Sequence, residues 1–353
     1  MTYIILLLIC VSLAFIVDRL KTDKKNLQYG IIVFFIIAFA LSLISAIRYN
    51  VGTDYSFTYV PTFNYIAQGA AQIRIDIGFY LLNQIIIWLT LNVQWVFIVT
   101  SFIINFLICA SIYKQISYKA LGIFIYICGT LYFFSMNGVR QTITMSIFYY
   151  SLTYVYQKRS KVKYFLLNLF GVTMHLAAVM FLPLYFFIHK RLRRRTYLLI
   201  ILLLVILITP ITNLVGNYLL STKYSMYLTN GAYSSLTSFN LSSILNLLCF
   251  LGYLFYSKKN SKNNVYLNIH FIGLIISLFL LRIPLVLRLF MSFRYIEFLS
   301  VPNLIADLNV TKRKRIIIIT AVIIFYVIYL INGVYINNGN DVLPYRTIFG
   351  EES

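Results

Sequence analysis

Short basic runs at 18–26, 158–163, 189–195, 257–264 and 311–315 punctuate this 353-residue chain, and long apolar stretches separate them. That alternation constrains the fold more than any other feature. A lipid bilayer offers no partner for a free backbone N–H or C=O, so segments that cross it must be helices or closed barrels, and about 20 apolar residues are needed per helical crossing. With 61% hydrophobic and 11% charged residues, the chain carries more apolar side chain than a soluble core of this length could bury. An all-α polytopic membrane protein is expected, forming one membrane domain over 1–353. The formal charge of +21 comes from the basic runs and reads as positive-inside anchoring; nucleic acid is not an expected partner.

Candidate spans are 2–17, 28–47, 95–113, 120–135, 139–157, 197–215, 241–256, 266–282, 286–306 and 316–336. With two awkward segments added, the expectation is about 10–12 transmembrane helices, with re-entrant or broken helices on the external side. The first run, Thr2 to Val17, is followed rather than preceded by basic residues, the reverse of a cleavable signal, and is expected to remain as a span with its N-terminus outside. Placing all five basic runs in the cytoplasm requires an even number of crossings between neighbours. Segment 77–91 is therefore expected not to cross. Segment 164–188, which carries Gly171, His175 and Pro183, is expected to be a broken hairpin with its tip near His175. Loops 48–76 and 216–240 and the tail 337–353 then fall outside. Cys10, Cys109, Cys128 and Cys249 stand alone in apolar runs, a pattern of buried small side chains rather than of a disulfide or metal site.

Of the 30 Lys and Arg, eight escape the cytoplasmic loops: Arg48, Arg74, Arg140, Lys223, Arg282, Arg288, Arg294 and Arg346. Seven of the eight are arginines, whose planar fork matches phosphate oxygens as lysine cannot. Acids are too few to neutralise them. Of nine, Asp18, Asp23 and Asp307 lie among cytoplasmic bases, and Asp341, Glu351 and Glu352 lie in the tail. Glu297, three residues beyond Arg294, is spaced for an ion pair on a helix. Asp54 and Asp76 are left as the external carboxylates. Arg140 and Gln141 open a helix behind Gly138, where a guanidinium and the positive helix end can act together on an anion. His175, if it reaches an external cavity, can serve as a general base.

Four pieces occur in order along most of the chain: Val51-Gly52-Thr53-Asp54-Tyr55 after the second span, Gly138-Val139-Arg140-Gln141, Met174-His175 after a basic loop, and Leu343-Pro344-Tyr345-Arg346-Thr347-Ile348-Phe349 in the tail. In this the chain resembles the EpsG-type branch of the Wzy-like polysaccharide polymerases. It departs from them at Asp76-Ile77-Gly78-Phe79, where a glutamate would be expected before the Gly-Phe pair. The resemblance implies an enzyme of the bacterial cytoplasmic membrane that joins undecaprenyl-pyrophosphate-linked oligosaccharides, uses no cofactor or metal, and works beside the flippase and chain-length regulator of its pathway. On that reading Asp54 or His175 is the base, and Arg140, Arg282 and Arg288 hold the pyrophosphate. Arg48 orients the substrate, and Gln141, Asp76, Tyr345 and Arg346 complete the binding set. A lipid-linked oligosaccharide flippase, a membrane O-acyltransferase and a scaffolding protein are the alternatives. Cysteines introduced at Thr53 should label from outside intact cells, while those at Ser160 and Ser261 should be protected; labelling of Ser160 or Ser261 would overturn the arrangement of the basic runs.

Overall fold

The structure, a computed structural model, describes residues 1–20, 24–70, 75–157, 160–220, 241–280 and 286–350. It is all-helical among these. The helices are α1 (Thr2–Arg19), α2 (Lys24–Ala46), α3 (Val60–Ala67), α4 (Ile77–Leu89), α5 (Gln94–Gln115), α6 (Lys119–Cys128), α7 (Leu131–Asn137) and α8 (Val139–Tyr156). They continue with α9 (Lys161–Met174), α10 (Arg194–Leu220), α11 (Leu241–Tyr256), α12 (Ser261–Leu280), α13 (Val286–Arg294), α14 (Glu297–Asp307) and α15 (Lys312–Leu330). Five helices, α1, α2, α5, α10 and α15, are by themselves long and apolar enough to cross a membrane, and the bent pair α6–α7 makes a sixth. The protein is a multi-pass membrane protein.

Several expected spans are broken. The 120–135 stretch bends by 48° between α6 and α7, where Thr130 takes a left-handed φ of 71°, an unusual conformation for a β-branched residue. The 286–306 stretch divides into α13 and α14. Breaks of this kind free backbone carbonyls, and inside a bilayer these need partners. A buried tyrosine supplies one: the Tyr149 hydroxyl donates to the Ser292 carbonyl (2.9 Å), at the end of α13.

Segment 164–188 doubles back on itself. Helix α9 ends at Met174, His175 is extended (φ −159°, ψ 119°), and two 3-10 turns, Leu176–Phe181 and Pro183–Phe186, return along α9. Tyr164, near the start of α9, donates to the Phe181 carbonyl at 2.6 Å and packs its ring 5.2 Å from that of Tyr185.

Contacts sort the helix ends into two groups. At one end lie the basic runs. There Asp18 accepts the backbone N–H groups of Lys119 and Ala120, both at 2.9 Å, and so caps α6. Arg191 and Arg194 donate to carbonyls at the end of α11, where the helix dipole is negative. At the other end, the Tyr3 hydroxyl donates to the Val342 carbonyl (3.2 Å), Gln94 donates to the carbonyls of Ala46 and Arg48, and the tail pairs with 47–52 through Tyr49 N–H to Arg346 O (3.0 Å) and Gly52 N–H to Asp341 O (2.7 Å). Both α4 and α5 begin at this end.

The core is built on α5 and α8. Helix α8 is rich in hydroxyls, yet nearly all its residues are buried. Its Thr142, Thr144, Ser146, Ser151 and Thr153 hydroxyls donate to carbonyls three or four residues earlier, so a sequence too polar to face lipid is satisfied within the bundle. By contrast, α10 and α15 leave large apolar side chains such as Leu199, Ile206 and Ile317 uncovered, as lipid-facing helices must.

Two glycines permit close approaches at the second end. Gly52 (φ +92°) sits where a Cβ would lie 2.8 Å from the Met136 carbonyl oxygen, and Gly78 where a Cβ would lie 2.9 Å from the Thr173 carbonyl carbon. Gly78→Ala must push α4 away from the hairpin; a loss of about 1–3 kcal/mol is expected, seen as reduced membrane abundance, and wild-type abundance with wild-type thermal stability would contradict the packing.

Candidate active site

The contact between α4 and α9 that Gly78 permits sets Asp76, immediately before α4, against the turn of the hairpin. Its carboxylate is shared by three elements. Oδ2 accepts from the Arg140 guanidinium at 3.0 Å and lies 3.3 Å from His175 Nδ1; Oδ1 accepts the Leu176 backbone N–H at 3.1 Å. Arg140 stands in the first turn of α8, so the carboxylate also faces a positive helix end. The cluster is partly open: the side chains of Arg140 and His175 are each 25% exposed and that of Asp76 19%. A proton on His175 Nδ1 is held toward the carboxylate, which leaves Nε2 as an acceptor.

Arg288 borders the cluster and is exposed, close enough to act electrostatically on His175. Among the described residues its guanidinium is in no ion pair. Its position is set through its backbone: Gln141 Nε2 donates to the Arg288 carbonyl (2.6 Å) and to Ser292 Oγ (3.1 Å), tying α13 to α8. Gln141 is itself buried, so it braces the site rather than lining it.

Asp54 approaches from the other flank. It precedes a π-helical turn, Tyr55–Tyr59, its N–H donates to Asn137 Oδ1 (2.9 Å), and Oδ1 accepts the Thr58 hydroxyl (3.3 Å). Tyr59 connects the flanks: its ring packs on Phe79, and its hydroxyl is directed at the N–H groups of Val139 and Arg140. Neither Tyr59 nor the Leu176 amide is distinguishable in sequence from the many interfacial tyrosines and hairpin residues around them.

Other expected site residues have structural places. Arg48 is 1% exposed, which corrects its assignment as a substrate-orienting group. It donates to the carbonyls of Ser45 and Met136 and to Ser101 Oγ (3.4 Å), and stacks 4.6 Å from the Phe97 ring centroid. The two carbonyls belong to the last turns of α2 and α7, so helix dipoles and a ring face hold this cation without a carboxylate. Tyr345 is likewise buried, its hydroxyl donating to the Ile44 carbonyl at 2.7 Å. Arg346 joins the tail clamp through its carbonyl. Arg294 and Glu297 form a buried ion pair (3.4 Å), with the Tyr326 hydroxyl donating to the carboxylate at 2.8 Å. Arg74, Lys223 and Arg282 lie outside the described residues. No group of three or more metal-ligating side chains occurs among those described.

The sequence profile of the EpsG family matches residues 31–347, which takes in every element of this cluster. The chain belongs to the EpsG family. No curated protein and no solved structure matches it. Membership of the EpsG family implies a membrane protein of exopolysaccharide biosynthesis.

Proposed function

We propose that this EpsG-family protein is a polysaccharide polymerase, a glycosyltransferase that joins oligosaccharide repeat units carried on undecaprenyl pyrophosphate. The observation that carries the proposal is the Asp76–His175 pair held beside Arg140 and Arg288. It combines an oriented base with two cations at a partly open site, the two needs of a transfer in which a phosphate ester leaves. The basic runs at the far end of the bundle support an orientation in which this end faces outward from the cytoplasmic membrane, as the positive-inside rule would have it.

In the proposed reaction the acceptor sugar hydroxyl donates its proton to His175 Nε2 as its oxygen attacks the anomeric carbon of the donor. The bond from that carbon to the pyrophosphate oxygen breaks, and the electron pair stays with the lipid pyrophosphate. Asp76 stabilises the imidazolium and fixes its tautomer, the role an orienting carboxylate plays beside a histidine base. Arg288 and the start of α8, with Arg140, receive the growing negative charge; preorganised donors aimed at such charge are worth about 3–4 kcal/mol each when lost. We assign Asp54, between the tail clamp and Tyr59, to binding the acceptor rather than taking its proton, a reading supported by the Asp76 carboxylate being the one that addresses a histidine.

A flippase reading shares the ligand but gives the histidine–carboxylate pair no task. Polymer length on a gel distinguishes them. His175→Ala, Asp76→Asn and Arg140→Lys are expected to reach wild-type membrane abundance, yet yield single surface repeat units with a polymer loss of about 100-fold or more, whereas Asp54→Asn should retain short ladders. Wild-type ladders from His175→Ala and Asp76→Asn together would remove the base from the proposal, and loss of even single surface units would favour transport.

A further inference from the structure

At the basic end, remote from the Asp76 cluster, α1, α6 and α15 leave a groove of about 1010 Å³. Its floor and walls are apolar, formed by Phe15, Phe124, Ile319 and Ile323 among others, and its mouth carries Arg19, Lys312 and Arg315. Helical rise makes it deep: from Lys312 to Ile323 the wall runs about 16 Å along α15. Asp18 also lines the mouth; both its oxygens accept backbone N–H groups of α6, and although it acts electrostatically on Arg19 it forms no ion pair with it. Among the described residues none of the three cations is in an ion pair. Arg19 lies over the Phe15 ring (4.6 Å), one Arg315 amino group donates to the Leu308 carbonyl (2.9 Å), and Arg315 Nε is buried with no hydrogen-bond partner.

We infer that this groove binds an anionic phospholipid, its phosphate between Arg19, Lys312 and Arg315 and one acyl chain running inward against Phe15, Phe124 and Ile323. The match is in both parts. A cationic rim at the level of the headgroups calls for a phosphate, and basic pockets between membrane helices take such headgroups. An apolar slot of this depth continuing directly below it calls for a hydrocarbon tail, which a soluble phosphate lacks. The volume, about 1010 Å³, lies at the upper limit of small-ligand sites, about 300–1,000 Å³. The site is independent of the polymerase reading, since it touches none of the residues assigned to that chemistry.

The test uses the purified full chain in micelles, with phosphatidylglycerol or phosphatidylcholine of identical acyl chains, and native mass spectrometry to count retained lipid. Wild type should retain one phosphatidylglycerol, preferring it over phosphatidylcholine by roughly thirtyfold, the effect expected of two surface cations. Arg19→Gln combined with Lys312→Gln, both exposed and without ion-pair partners among the described residues, should remove most of that preference, with Arg315 alone remaining at the mouth. Ile323→Trp keeps every charge but fills the slot, and should release both lipids. Glycerol 3-phosphate, a headgroup without a tail, should not displace the bound lipid. Equal retention of the two lipids by wild type would overturn the inference, as would an unchanged preference in the double variant or displacement by glycerol 3-phosphate.

Discussion

Asp76 holds together three stretches of chain that are far apart in sequence: the start of α4, the first turn of α8 and the tip of the hairpin at His175. A carboxylate is suited to this because its two oxygens accept several donors at once, and in a half-buried setting each charge-assisted contact is stronger than a neutral one. Remove it, and a guanidinium, an imidazole and a backbone amide lose their common partner. The arrangement also accounts for its neighbours. Gly78, two residues on, must lack a side chain for α4 to come within reach of Thr173, and Gln141, beside Arg140, locks α13 so that Arg288 borders the same space.

Broken helices at membrane depth are the second constraint that the fold meets. Each break exposes carbonyls that lipid cannot satisfy, and they fall where a tyrosine hydroxyl, a serine or a helix end can reach them. The thirty tyrosines of the chain are therefore more than an interfacial belt. Tyr149 and Tyr164 reach inward to carbonyls beside breaks, at Ser292 and Phe181, and Tyr253 bonds the Ser300 carbonyl within α14. Breaking helices near one end of the bundle is what brings polar groups from α4, α8, α9 and α13 to a single place.

Much of this was legible in the sequence, for physical reasons. Apolar length and the basic runs identify the helices, and the parity of those runs forces one short segment and one hairpin; the chain does turn back at His175, and α4 and α5 do start from one end. The Arg294–Glu297 spacing foretold an ion pair that exists. Arg140 at a helix start was readable because glycine, cation and amide stand together. Arg48 was not readable. Its partners are carbonyls ending α2 and α7 and a ring at Phe97, and backbone groups carry no residue code, so a cation with buried carbonyl partners looks in sequence like a cation awaiting a ligand. Tyr345 was hidden for the same reason, its partner being the Ile44 carbonyl. The central place of Asp76 depends on α4 meeting α9 across about a hundred residues, a contact that no local pattern encodes.

The central claim is that this end of the bundle makes glycosidic bonds at the expense of lipid pyrophosphate. It is tested most directly by reconstituting the purified protein in liposomes with undecaprenyl-pyrophosphate-linked repeat units, then measuring linked repeats and released lipid pyrophosphate in the same sample. The account predicts one lipid pyrophosphate released for each new glycosidic bond, with His175→Gln stopping both together. Repeat units that cross the bilayer unjoined, with no lipid pyrophosphate released, would contradict it.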